Sequence, residues 1–230
     1  MIVCIPSIGG SPLLVDLLHV LLCEEGVSKI YLYDNSVEAV TGYSPLMDLL
    51  KDSAVIRDAV KFKDIIVEFN HPETIYGSWN RGILEARRSD QNVAILNDDI
   101  ILKPGSLTAA ESVMTTDMGL IGLNYFDPEA EVSKNAGVRE VVGTYRTTGF
   151  GGFAFILPPD SPFVDERFQW WYGDDDLAER VKQKGGRLVV ALGAPVFHPS
   201  PSTTGNQHPW TMRAAGEDTV LFRELWPTAP

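Results

Sequence analysis

Along the chain, short uninterrupted apolar runs alternate with stretches whose apolar residues recur every three to four positions. Met1 to Ile5 is apolar throughout and predicts a buried strand. Leu13, Leu14, Leu17, Leu18, Leu21 and Leu22 then repeat with the period of one helix face. Ser11-Pro12 ahead of them offers a cap and a first-turn proline, and Gly26 a stop. Lys29 to Tyr33 predicts a second strand, ending in the turn-prone Asp34-Asn35-Ser36. Ser44-Pro45 starts a short helix by the same logic. Asp64 to Phe69 predicts a third strand, and Ser78 to Arg88 a helix capped near Gly77-Ser78. Val93 to Leu96 is an apolar strand that runs straight into Asn97-Asp98-Asp99. A helix follows Pro104, and Gly119 to Leu123 is a further strand. This alternation predicts an α/β fold with a mostly parallel central sheet and helices on both faces.

The pattern changes past residue 123. Residues 124–150 are polar and glycine-rich, with a strand or hairpin predicted in Val138 to Thr147. Gly152 to Leu157 reads as a strand and Asp174 to Lys184 as a helix stopped by Gly185-Gly186. Arg187 to Ala191 and Pro195 to His198 read as two short strands. The tail from Ser200 to Pro230 is rich in Pro, Ser, Thr and Trp and predicts a lid followed by a short helix. No repeat or linker divides the chain, so residues 1–230 are expected to form one domain.

Composition adds limits. A hydrophobic fraction of 44% in 230 residues suffices for one sizeable core. A net charge of -12 repels nucleic-acid phosphates over most of the surface. Acidic residues gathered in one cleft would instead attract a cation. The two cysteines, Cys4 and Cys23, fit neither a disulfide framework nor a zinc site, and both are expected to be buried thiols in a reducing, cytoplasmic setting. No basic segment precedes the first apolar run, and Asp16 and His19 interrupt the leucine-rich stretch. No integral membrane segment is therefore expected.

Three features bear candidate chemistry. The first is Asp98-Asp99 at the end of a buried strand. Adjacent carboxylates there must be solvated, paired or metal-bound. The pair admits two readings: a hard-cation site that neutralises a diphosphate, or a solvated turn capping the next helix. The second is Trp170-Trp171-Tyr172-Gly173-Asp174-Asp175-Asp176. Carboxylates at a helix start complement its dipole, but one cap would suffice, and three aromatics precede them. Aromatic faces beside carboxylates suit a sugar: rings stack on its C–H faces while a carboxylate takes a hydroxyl proton. The third is His198, whose imidazole would complete an oxygen-rich metal site with Asp99. His208 is a second candidate for that role or for a phosphate contact. His19 and His71 read as ordinary surface or partly buried histidines. Dinucleotide, Walker-type and nucleophile-elbow motifs are absent.

In order and spacing these motifs resemble glycosyltransferase family 2, and GT-A glycosyltransferases generally, over roughly residues 1–200. Pro6-Ser7 after the first strand resembles the family's first nucleotide contact, and Asp34 its second. Trp79-Asn80-Arg81-Gly82 resembles its Asn-x-Gly helix. Asn97-Asp98-Asp99 is similar to the DxD element, with Asn in the first acidic place. Gly151-Gly152-Phe153-Ala154 resembles the loop before the acceptor site. Gly173-Asp174-Asp175-Asp176-Leu177 is similar to Glu-Asp-x-Asp-Leu, with Gly173 in place of Glu, and to the acidic motif of β-1,4-galactosyltransferases.

The resemblance implies a GT-A fold with a small acceptor-side sheet. Residues 1–123 would be the nucleotide-sugar half, 124–200 the acceptor and catalytic half, and 201–230 the lid and tail. It implies an inverting transfer from a nucleotide sugar, a UDP-sugar ahead of a GDP-sugar, with Mn²⁺ or Mg²⁺ held by Asp99 and His198. Pro6, Ser7, Asp34, Asn80 and Asp98 would bind the donor. Asp174 would be the general base, with Gly152, Trp170, Trp171, Asp175 and Asp176 on the acceptor. The acceptor class stays open among a saccharide, a lipid headgroup, a protein and a hydroxylated DNA base. The rival readings are a sugar-nucleotide nucleotidyltransferase and a non-catalytic carbohydrate-binding protein. The loop after the first strand has no basic residue, which counts against the former. The two acidic clusters count against the latter.

Overall fold

The apolar run at the N-terminus becomes β1 (Ile2–Ser7), buried at every position. A strand covered on both faces needs continuous rather than alternating hydrophobicity. In this computed structural model, residues 1–7, 11–36, 45–62, 64–69, 74–141, 150–199 and 209–229 are described. β1 pairs in parallel with β2 (Lys29–Asp34) on one side and β4 (Val93–Leu96) on the other. β3 (Ile65–Phe69) extends the sheet beyond β2, also in parallel. Past β4 the direction changes: β8 (Ala154–Leu157) runs antiparallel to both β4 and β6 (Met118–Asn124). β9 (Arg187–Phe197) then pairs in parallel with β6. β5 (Ile101–Leu102) and β7 (Val138–Glu140) lie antiparallel to β9. The main path of the sheet is β3-β2-β1-β4-β8-β6-β9-β5.

Alternate residues of β1 feed two cores. Val3 and Ile5 face one layer, which takes Leu14, Leu17, Leu18 and Leu21 of α1 (Leu14–Leu22). Leu46 and Leu50 of α2 (Pro45–Lys51), Ile56 of α3 (Ala54–Lys61) and Leu107 of α5 (Ser106–Ser112) join the same layer. Ile2 and Cys4 face the other layer, with Tyr76, Trp79 and Ile83 of α4 (Ile75–Ser89) and Leu177 and Val181 of α6 (Gly173–Gln183). Phe222 of α7 (Pro209–Leu225) closes that layer. α4 approaches β1 closely because residue 82 is glycine. A Cβ at Gly82 would lie 2.7 Å from Cys4 Cβ, well inside contact distance.

Several expectations are corrected. α1 begins at Leu14 with no side-chain cap; Ser11 Oγ instead accepts the N–H of Leu13. It ends at Cys23, and Gly26, at φ +89°, turns the chain after it. α4 starts at Ile75 because Thr74 Oγ1 accepts the N–H of Gly77 at 3.2 Å. α3 was not anticipated; Ser53 Oγ caps it through the N–H of Ile56. The strand expected from Gly152 begins at Ala154, because residues 151–153 form a turn. The two strands expected between Arg187 and His198 are one bent strand, β9. The tail helix is not short: α7 has 17 residues and is the longest helix described. Cys23 is exposed, since it falls on the solvent face as α1 ends. The expected lid, the end of the hairpin at 142–147, His71 and His208 lie outside the described residues. Among the described residues, no helix is long and apolar enough to cross a membrane.

Candidate active site

The strand order reverses between β1 and β4, and ligands of open α/β sheets bind beyond the carboxyl ends of strands at such a point. β1 ends there at Ser7 and β4 runs there into Asn97-Asp98-Asp99. Ser7 Oγ donates to Asp98 Oδ2 at 2.5 Å, spanning the switch point. Asn97 is held by its N–H on the carbonyl of Phe153 at 2.8 Å. Asp99 is 8% exposed, and its Oδ1 stands 3.0 Å from His198 Nε2. The two residues are 99 positions apart. They meet because Ile101 of β5 pairs with Phe197 of β9; His198 follows Phe197 directly and Asp99 lies two residues before Ile101. The His198 ring stacks on Phe153, centroids 4.3 Å apart.

This donor set suits a small divalent ion. Two ligands bonded side by side at about 2.1 Å stand about 3 Å apart. An imidazole nitrogen and a carboxylate oxygen are both acceptable ligands for such ions. Among the described residues, no group of three or more His, Cys, Asp or Glu forms a closed cage. The remaining positions would fall to a ligand's oxygens and water.

Burial pushes the Asp98 carboxyl up to about 6; the Ser7 hydroxyl opposes this and the neighbouring Asp99 reinforces it. A carboxyl raised in the folded chain loses its proton first in the unfolded chain. Stability therefore falls as pH rises from about 4, the unfolded value, to about 6, by roughly 2–3 kcal/mol. Asp98→Asn removes that loss and keeps an acceptor for Ser7. In metal-free buffer the variant is expected to melt above the wild type near neutral pH, and level with it near pH ~4. Thermal melts followed by circular dichroism check this; equal melting temperatures at neutral pH would count against a buried charge.

The second acidic cluster opens α6. Its N-cap, Tyr172, has φ +66°, a left-handed conformation that costs a non-glycine residue about 1–2 kcal/mol. Surrounding contacts hold it, among them the stack of its ring on Phe222 at 5.0 Å. Gly173 stands where the resembling motif has Glu, and a Cβ there would lie 2.1 Å from the Tyr76 ring. Burial raises the Asp174 carboxyl above the usual range, against hydrogen bonds from its own and the Asp175 backbone N–H. A Cβ at Gly152 would lie 2.3 Å from Asp174 Oδ2, so only glycine lets the 151–153 turn lie against this carboxylate. The next residue in that turn is Phe153, the ring under His198. The turn thus joins the two acidic constellations at one place.

Other expected site residues are placed differently. Asp176 is fully buried rather than facing an acceptor. It accepts from Arg180 Nε at 2.7 Å, the Asp165 N–H at 2.9 Å and Trp226 Nε1 at 2.8 Å. Asn80 is turned away from the sheet end. It donates to the Val164 carbonyl and Glu166 Oε1 and accepts from the Val164 N–H, all within 2.9 Å. Asp34 ends β2 beside Ser7, in register with it, but is fully buried, and its Oδ1 holds the N–H and hydroxyl of Ser36. Pro6 pairs with Tyr33 one step earlier. Trp170 and Asp175 are half-buried, and Trp171 is 42% exposed. Tyr76, Asp218 of α7 and Trp226 just past that helix carry no local signal in the sequence. Phe153 was part of the Gly151-Gly152-Phe153-Ala154 motif, though not singled out in it.

No family model matches the chain, and no curated protein matches it. Solved structures do. GalNAc-T7, solved with UDP, GalNAc and Mn²⁺, superposes with a TM-score of 0.61 at 12% identity over 86% of this chain and 43% of that one. Residues 1–349 of S. aureus TarS, solved with UDP-GlcNAc, superpose at 0.56 and 9% identity over 90% of this chain and 61% of that one. The same TarS fragment with UDP gives 0.55 at 10% identity. The chain spans less than two thirds of the length of each. These matches give the chain the GT-A type of fold expected from its sequence.

Proposed function

We propose that the chain is a metal-dependent inverting glycosyltransferase that moves a sugar from a UDP-sugar to an acceptor hydroxyl. The observation that carries this reading is the 151–153 turn. It places a glycine on the Asp174 carboxylate and a ring under His198, which faces Asp99. In this reading a base and a diphosphate-binding pair lie on either side of one turn. UDP is favoured as the nucleotide because GalNAc-T7 and TarS, which share the fold, were solved with UDP or UDP-GlcNAc.

Each residue then has a task. Asp99 and His198 would hold Mn²⁺ or Mg²⁺, which would supply a positive charge to neutralise the leaving nucleoside diphosphate. Ser7 and Asp98 border the donor at the switch point. Asp174 accepts the proton of the acceptor hydroxyl as that oxygen attacks the anomeric carbon from the face opposite the leaving group. The raised Asp174 carboxyl is a stronger base than a solvated one. Trp171 offers an exposed ring for the acceptor's C–H faces.

The test is a thermal shift with UDP, with and without Mn²⁺, followed by UDP release from a panel of UDP-sugars with free monosaccharides. A metal-dependent shift is expected, about 2–4 °C for each kcal/mol of binding in a chain of this size. No shift with any nucleotide overturns the reading in favour of a carbohydrate-binding protein. Formation of a sugar nucleotide from sugar phosphate and UTP overturns it in favour of a nucleotidyltransferase.

A further inference from the structure

The loop before Asp174 ends on a carboxylate that the proposed chemistry does not use. Asp218 of α7 is 1% exposed. Its Oδ1 accepts the N–H of Gln169 at 2.9 Å, and its Oδ2 accepts those of Trp170 at 2.7 Å and Trp171 at 2.8 Å. Three successive backbone N–H groups converging on one anion form a nest. A buried carboxylate is costly unless satisfied in this way, so the arrangement binds helix and loop to each other.

α7 grips the far side of the loop as well. Trp226 Nε1, just past the helix, donates to Asp176 Oδ1 at 2.8 Å. Between these two grips Phe222 stacks on Tyr172. The left-handed Tyr172 is thus bracketed by α7 on both sides, and it is the residue whose conformation starts α6 and sets the direction of Asp174.

We propose that Asp218 is a positioning residue. By holding the 169–171 backbone it aims Asp174 and presents Trp171 to the acceptor, an inference that rests on the glycosyltransferase reading above. Asn at this position cannot reproduce the nest, since its amide group would oppose an N–H. A misplacement of about 1 Å at a reacting group costs on the order of 10²-fold in rate.

The experiment compares wild type, Asp218→Asn and Ala214→Gly. Ala214 is buried on the same helix and makes none of these bonds, so its loss of stability serves as the control. UDP release is measured from UDP-GlcNAc or UDP-GalNAc with a monosaccharide acceptor, alongside UDP·Mn²⁺ calorimetry and amide exchange. Asp218→Asn is expected to lower kcat by about 10–100-fold, leave UDP affinity unchanged, and speed exchange at residues 169–171. Ala214→Gly is expected to lower the melting temperature and keep the wild-type kcat. A wild type that turns over no UDP-sugar overturns the reading on which the role rests. An active wild type whose Asp218→Asn form retains its kcat, or a control that loses kcat equally, overturns the positioning role alone.

Discussion

Asp174→Asn is expected to lower transfer by about 10²–10⁴-fold, the contribution of a positioned general base, while UDP binding stays intact. The two halves of the expectation come from different places in the site. Asn has the shape of Asp and fits against Gly152 as Asp does, so the 151–153 turn and the stack of Phe153 on His198 are undisturbed. What is lost is the oxygen able to take a proton. Steady-state kinetics beside UDP·Mn²⁺ calorimetry separates the effects. A variant that transfers at the wild-type rate would falsify the assignment of the base. The pH profile gives a second check. Burial raises the Asp174 carboxyl, so the ionised base is absent at low pH and appears as pH rises through that raised value. The acid limb of kcat/KM is therefore expected above the ordinary carboxylate value of about 3.9. A limb at the ordinary value means that the proton acceptor is a solvated group elsewhere.

Asp99→Ala is expected to remove the metal-dependent part of UDP affinity, by about 100-fold or more. Changes to groups that merely support a metal's ligands already cost about 10–100-fold in metal affinity. Here the proposed ligand itself is lost, while His198 keeps its place on Phe153. Titration of UDP with Mn²⁺ and then with EDTA isolates the term. The wild type should lose affinity on chelation and the variant should not change. Equal, chelator-sensitive affinity in both would move the ion away from Asp99. This outcome is distinct from that of Asp174, which is linked to the Asp99–His198 pair through the 151–153 turn.

Strand β1, strand β4 and the face of α1 were legible because a buried surface demands apolar residues at fixed spacing, and spacing is a local property. The two acidic clusters were legible for a related reason: carboxylates directly after an apolar run must be given a reason to be there. The boundaries were weaker, because a cap is decided by which hydroxyl reaches which N–H. Thr74 rather than Ser78 begins α4, and Ser53 begins a helix that periodicity alone did not reveal.

Residue type alone did not divide the labour within the clusters; the resemblance did so, and it set Asp176 on the acceptor. Asp174, Asp175 and Asp176 are chemically identical in the sequence. Only the helix turn and the arrival of Trp226 and Arg180 make Asp176 a buried strut and leave Asp174 beside Gly152. Asn80 sits in a recognisable motif, yet its amide matches the backbone of Val164 so fully that it serves the loop. Asp218 lies in a tail read from the sequence only as a lid and a short helix, and its proposed role rests on three amides that converge on it. The chain by itself determined where its carboxylates follow buried strands, since burial has a period. The meeting of Asp99 with His198 was already expected from the sequence, but which carboxylate opposes a glycine and which is locked away was decided by tertiary structure, because hydrogen bonds are made between residues that sequence spacing does not relate.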